Sequence, residues 1–183
     1  DRLSPDRLTG KLVALAHEIV VNMPIIGDFA RKFGMVRAGQ TVAADLLKEG
    51  ANVLVYPGGD VEALRPWKDR NKIVFDGRKG FLKLAHAQRV KIVPVVAMGG
   101  QETFFVLNDG RSTAKFLRFD KLLRVKTVPL SLSFPWGLLP GDLPHIPFPA
   151  KIRMQVLPAI DLREMFGDDP DWDAAYGYVT SAM

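Results

Sequence analysis

The chain has 183 residues, 48% hydrophobic and 25% charged, with a formal net charge of +5 and no cysteine. A chain of this size and balance folds around a core rather than remaining disordered, and it has no disulfide, thiol or cysteine-ligated metal chemistry. The positive excess is spread along the sequence, so it reads either as a solvated surface or as attraction to phosphate, anionic headgroups or nucleic acid.

The chain opens on Asp1-Arg2-Leu3-Ser4-Pro5-Asp6-Arg7, too polar for a signal peptide. No uncharged apolar run approaches the roughly 18 residues that a membrane-spanning helix needs. From Thr9 to Val21, the residues Leu12, Val13, Leu15, Ala16, Ile19 and Val20 recur at helical spacing, and Pro24 stops that pattern. A second helix is expected over Ile26 to Phe33, ended by Gly34, and a short strand over Gly34 to Ala38. Thr41 then reads as the cap of a helix through Leu47, closed by Gly50.

Asn52 to Tyr56 is a compact β-branched run of the buried-strand type, and it ends in Pro57-Gly58-Gly59-Asp60. A loop rich in charge and proline is expected over Glu62 to Asp76, then a helix from Arg78 to Gln88. Lys91 to Ala97 reads as a further strand, with Pro94 marking an edge or an irregularity. Leu130 to Pro149 holds five prolines among Phe134, Trp136, Leu138 and Ile146, so regular structure is not expected there. Such a loop either covers the core or meets something apolar outside it, a membrane or an acyl chain. Ala150 to Leu157 is a last strand candidate. Asp171 to Met183 reads as a helix running into the chain's end, which with a first residue other than Met suggests an excerpt of a longer protein. The strand and helix order predicts an α/β fold: a mixed or mostly parallel sheet flanked by helices.

Two segments carry chemistry. Tyr56-Pro57-Gly58-Gly59-Asp60-Val61-Glu62-Ala63 stands at the carboxyl end of a strand, where open α/β sheets place ligands. Its glycines permit a sharp turn and close approach of a ligand, its N–H groups suit an oxyanion or a phosphate oxygen, and Glu62 suits a hydroxyl or a cation. A plain tight turn is the competing reading. In Gly77-Arg78-Lys79-Gly80-Phe81, two cations stand where a helix begins, which is unfavourable unless Glu62 or a phosphate lies close. A solvated basic pair is the competing reading. His17, His86 and His145 share no metal-ligand spacing and read as structural. No nucleotide-binding glycine fingerprint, hydrolase elbow or RNA-binding aromatic pattern occurs.

In order along the chain, Tyr56 to Ala63, Gly77 to Ala85 and Ile92-Val93-Pro94-Val95 resemble the lysophospholipid and glycerolipid acyltransferase superfamily. The likeness is closest to the branch resembling type-2 diacylglycerol acyltransferases. It extends over about residues 12 to 165 and includes the Pro24 to Ala38 stretch. The resemblance implies transfer of a fatty acyl group from acyl-CoA or acyl carrier protein to a glycerolipid hydroxyl, with no metal or other cofactor. It implies a substrate-binding set of Gly58, Gly59, Asp60, Glu62, Arg78 and Lys79, and a membrane-associated protein at the cytoplasmic face that binds no nucleic acid. The family's general base is the His of a His-x-x-x-x-Asp motif, and no histidine here is followed by Asp at that spacing. Residues 1–183 therefore read as a partial domain cut at both ends, inactive alone; a non-catalytic lipid-binding homologue is the alternative. Where the phosphate-accepting branch carries an Arg, this chain has Val61. That favours a neutral acceptor such as diacylglycerol, although Arg65, Lys68, Arg78 or Lys79 remain candidates to hold the phosphate of a lysophospholipid.

Overall fold

A five-residue apolar run is short enough to satisfy either helical or strand periodicity, and Leu12 to Ala16 is such a run. In the structure, a computed structural model that describes residues 10–16, 21–22, 26–108, 110, 129–140 and 145–183, it is a strand. This strand, β1 (Leu12–Ala16), is the centre of a three-stranded sheet with β2 (Met35–Arg37) and β3 (Asn52–Leu54). Both pairings are parallel, with Ala14 opposite Met35 and Leu12 opposite Asn52. The helix expected from Thr9 to Val21 is thus corrected over Leu12–Ala16. A central strand with neighbours on both sides satisfies its backbone groups in the ladder, and Val13 is buried at 5% exposure. His17 lies outside the described residues.

The helices between these strands fall close to expectation. They are α1 (Ile26–Lys32) and α2 (Gln40–Lys48). The cap of α2 is Gly39 rather than Thr41, and no side chain caps it. After β3 come α3 (Gly59–Ala63) and, beyond a single turn of 3-10 helix at Trp67–Asp69, α4 (Gly80–Gln88). The remaining elements are β4 (Val95–Met98), β5 (Phe105–Val106), β6 (Leu130–Ser133), β7 (Gly137–Pro140), β8 (Arg153–Val156), α5 (Leu162–Phe166) and α6 (Trp172–Ser181).

The chain divides into two compact units. The first takes the described residues of Asp1–Gly59, Gly77–Ile92 and Ala159–Ala182. It holds the parallel sheet and a core in which Leu82, Ala85, Ile160, Leu162, Ala175 and Val179 pack together. Here α4 meets α5 and α6, so residues more than 70 positions apart in sequence share one apolar cluster. Asp161 and Asp171 cap α5 and α6, each accepting from two backbone N–H groups of the first turn.

The second unit takes Asp60–Asp76, Val93–Pro158 and Met183. Its strands pair antiparallel: β4 with β8, and β5-β6-β7 in order. Two expectations change here. Among the described residues a mostly parallel sheet is not found: the structure is mixed α/β, with the β1 sheet parallel and the other two sheets antiparallel. Leu130 to Pro149 is not wholly irregular, because it contains the β6–β7 hairpin. Its prolines avoid the ladder interior: Pro135 lies in the turn and Pro140 at the last pair, opposite Leu130. The run Lys91 to Ala97 is split. Ile92 exchanges two backbone hydrogen bonds with Ile160, and β4 begins at Val95, after Pro94, which has no N–H to donate. Among the described residues no helix is long and apolar enough to cross a membrane.

Leu82 is fully buried in the first unit's core. Leu82→Ala should lower stability by about 2–5 kcal/mol through lost transfer energy and the cavity left behind. Chemical denaturation monitored by circular dichroism will check this, and a change below about 1 kcal/mol would contradict the packing described.

Candidate functional site

The first glycine-bearing motif begins where β3 ends. The chain turns at Tyr56-Pro57-Gly58-Gly59, and the Gly59 N–H donates to the Tyr56 carbonyl at 3.1 Å. That N–H is spent inside the turn rather than presented to an oxyanion. Gly58 is buried. Gly59 has φ +53, the left-handed region that side-chain-bearing residues enter at a cost. A second constraint acts at the same atom: a Cβ added to Gly59 would lie 2.6 Å from Arg78 Nη1. The guanidinium of Arg78 therefore lies against the bare Cα of Gly59. Within the first unit, the two motifs read from the sequence meet at this contact.

The segment bearing Arg78 is held in turn by α6. The Tyr176 hydroxyl accepts from the Gly77 N–H at 3.2 Å, and Lys79 Nζ lies 2.6 Å from Asp173 Oδ1. Where Glu62 or a phosphate was expected as the anion near the two cations, the structure supplies Asp173 instead for Lys79, and Glu62 is paired with Arg65. Asp173 offsets the unfavourable charge of a lysine at the cap of α4. Sequence reasoning missed Asp173 and Tyr176. They lie 94 and 99 positions away from their partners, and no local pattern marks such a pairing.

Glu62 stands one helical turn beyond Gly59, in α3. Its carboxylate lies 3.3 Å from Arg65 Nη1, with side-chain exposures of 23% for Glu62 and 12% for Arg65. Arg65 also donates to the Arg70 carbonyl at 2.9 Å, which commits much of its guanidinium to the protein itself. The Gln101 amide donates to the carbonyls of Glu62 and Ala63, tying off the end of α3. Nearby, Arg70 stacks over the Trp67 ring, and the hydrogen bond from Lys72 holds the Asp69 carboxyl below its usual pKa. Asp60 begins the same helix, and its side chain lies outside what is described.

His86 is buried, hydrogen-bonded through Nε2 to the Gly167 carbonyl at 2.8 Å, and edge-on to Trp172. His145 stacks on Phe104. Among the described residues no cluster of three or more metal-ligating side chains is found. A concavity of about 420 Å³ is lined mainly by Val96, Met98, Arg153, Met154 and Leu157, and none of the residues selected from sequence lines it.

The sequence pattern of the family described as Diacylglycerol acyltransferase matches residues 6–144, and so covers both motifs. This chain belongs to that family. Among relatives, an uncharacterized protein of Mycobacterium tuberculosis is 30% identical over 159 residues, which are 85% of this chain and 42% of that protein. Diacylglycerol O-acyltransferase 1 of Eremothecium gossypii is 29% identical over 137 residues, covering 73% of this chain and 29% of the relative. Diacylglycerol O-acyltransferase 2 of Danio rerio is 34% identical over 102 residues, covering 50% and 27%. The chain thus spans well under half the length of these relatives. No solved structure matches it.

The contact between Gly59 and Arg78 predicts energetic coupling. Gly59→Ala should cost about 1–2 kcal/mol for its positive φ alone. The cost should be larger by roughly 0.5 kcal/mol or more when Arg78 is present than in an Arg78→Ala background. Strictly additive costs in a double-mutant cycle would contradict the contact.

Proposed function

We propose that these residues form the acceptor side of an O-acyltransferase. The enzyme moves a fatty acyl group from an acyl thioester, acyl-CoA or acyl carrier protein, to the hydroxyl of diacylglycerol. Family membership supports the reaction class. The observation that carries the site is the Arg78 guanidinium lying against Gly59, because it brings the two motifs into contact. The reaction needs a base to take the proton from the acceptor hydroxyl as its oxygen attacks the thioester carbonyl. The tetrahedral oxyanion then collapses, the C–S bond breaks, and the thiolate leaves as the ester forms. No His-x-x-x-x-Asp motif occurs in these 183 residues, so the base is assigned to another part of the full protein.

In this reading Gly58 and Gly59 form the floor of the acceptor site, at the sharp turn that their lack of side chains permits. Glu62 accepts from the acceptor hydroxyl with the carboxylate that Arg65 orients, and Asp60 lines the same helix. Arg78 and Lys79 offer donors to phosphate oxygens such as those of CoA. Val61 offers no charge to an acceptor phosphate, which favours diacylglycerol over a lysophospholipid. The acceptor is a membrane lipid, so the reaction is placed at a membrane surface, on its cytoplasmic face.

The test is acyl transfer by the full-length protein. Labelled oleoyl-CoA is supplied with diacylglycerol and lysophosphatidic acid side by side. The label should appear in triacylglycerol. Glu62→Gln, which keeps the side chain's shape, should lower turnover by about 100-fold, the scale of a misplaced reactant. Label on neither acceptor, with lipid binding retained, would replace this reading with a non-catalytic lipid-binding one.

A further inference from the structure

In a half-buried hairpin the inward positions are normally apolar and the outward ones polar. In the β6–β7 hairpin this order is reversed. Ser131 and Ser133 are buried at 0% and 2% exposure, and the Ser133 hydroxyl has no hydrogen-bond partner among the described residues. Leu132 and Leu138 sit opposite one another on the other face, 40% and 60% exposed. Phe134 and Trp136, at the turn, are each 54% exposed, and Ile146, bridged to Phe134, is 59% exposed.

The same face is covered at one end. Phe105 of β5 pairs with Leu132, and the rings of Trp67 and Phe148 lie 4.5 and 5.6 Å from it. The apolar surface thus begins at a half-buried aromatic group of the second unit and continues, largely exposed, along the hairpin's outer strand and turn. Leaving so many large apolar groups in water is costly, at about 25 cal/mol for each Å². A bilayer removes that cost.

We infer that the outer face of the β6–β7 hairpin docks on an anionic lipid bilayer. Charge selects this occupant over a second copy of the chain. Thr127 to Gly141 contains no charged residue, so the hairpin carries no charge into the acyl region. Lys151 and Arg153 in the same unit are exposed. These cations, and the net charge of +5, attract anionic headgroups and repel an identical chain. Aromatic residues at the turn suit the headgroup level, where one edge of the ring meets water. The inference rests on the membrane placement proposed above and is independent of the acyl-transfer chemistry.

The experiment measures binding to vesicles of phosphatidylcholine with phosphatidylglycerol, without acyl donor, so it can fail while acyl transfer stands. Leu138→Asp should weaken partitioning by about tenfold. Val42→Asp, at an exposed valine of α2, is the control for added charge and should change it by less than about twofold. Brominated lipids should quench a fluorescence component that disappears in Trp136→Phe. Vesicles of phosphatidylcholine alone should bind markedly less. Equal effects of the two Asp substitutions, an unquenched Trp136 component, or equal binding to both vesicles would overturn the inference. So would vesicle binding unaffected by Leu138→Asp with a halved solution mass, which would make the face an interface between copies.

Discussion

The arginine side chain lying on a glycine Cα is the contact on which the arrangement of the first unit's motifs depends. Two features disfavour a side chain at Gly59: its positive φ, and the Arg78 guanidinium beside it, which would have to shift. Arg78 in turn keeps its place because the backbone before it is tied to α6 through Tyr176, and the residue after it through Asp173. The ion pair contributes little of this. Asp173 is 87% exposed, and such pairs are worth about 0–1 kcal/mol. The larger share comes from packing of α6 on α4, where Ala175 and Val179 bury against the cluster around Leu82. A helix far along the sequence therefore positions a basic side chain at a turn near the start.

Much of this was legible from residue order. Pro57-Gly58-Gly59 and Arg78-Lys79-Gly80 announce a tight turn and a helix start, and the structure forms both. What the sequence could not show was the contact between them, since nothing local encodes which arginine reaches which glycine. Leu12 to Ala16 was misread for a definable reason: a short apolar run fits periods of 2 and 3.6 alike, and tertiary pairing decides. The direction of pairing in β4 and β8 was equally hidden, because tertiary pairing rather than local sequence sets it. The hairpin was obscured by its prolines, which signal irregularity unless their places at the turn and strand end are known.

The second unit shows a different constraint. Its partly buried Glu62–Arg65 pair and the Gln101 amide close α3 from within, whereas its hairpin turns apolar residues outward and serines inward. Local rules are satisfied at the first feature and broken at the second. Departures of that kind concentrate where a protein meets a ligand or another phase. Under the proposed function, a lipid acceptor gives reason for both a closed polar turn and an open apolar face.

The central claim is that the acceptor sits at the turn after β3. Amide hydrogen exchange in the full-length protein, with and without dioctanoylglycerol, tests it most directly. The account predicts added protection over Gly58 to Ala63 and at the start of α4, near Arg78 and Lys79. Protection elsewhere, with exchange at both segments unchanged, would contradict it.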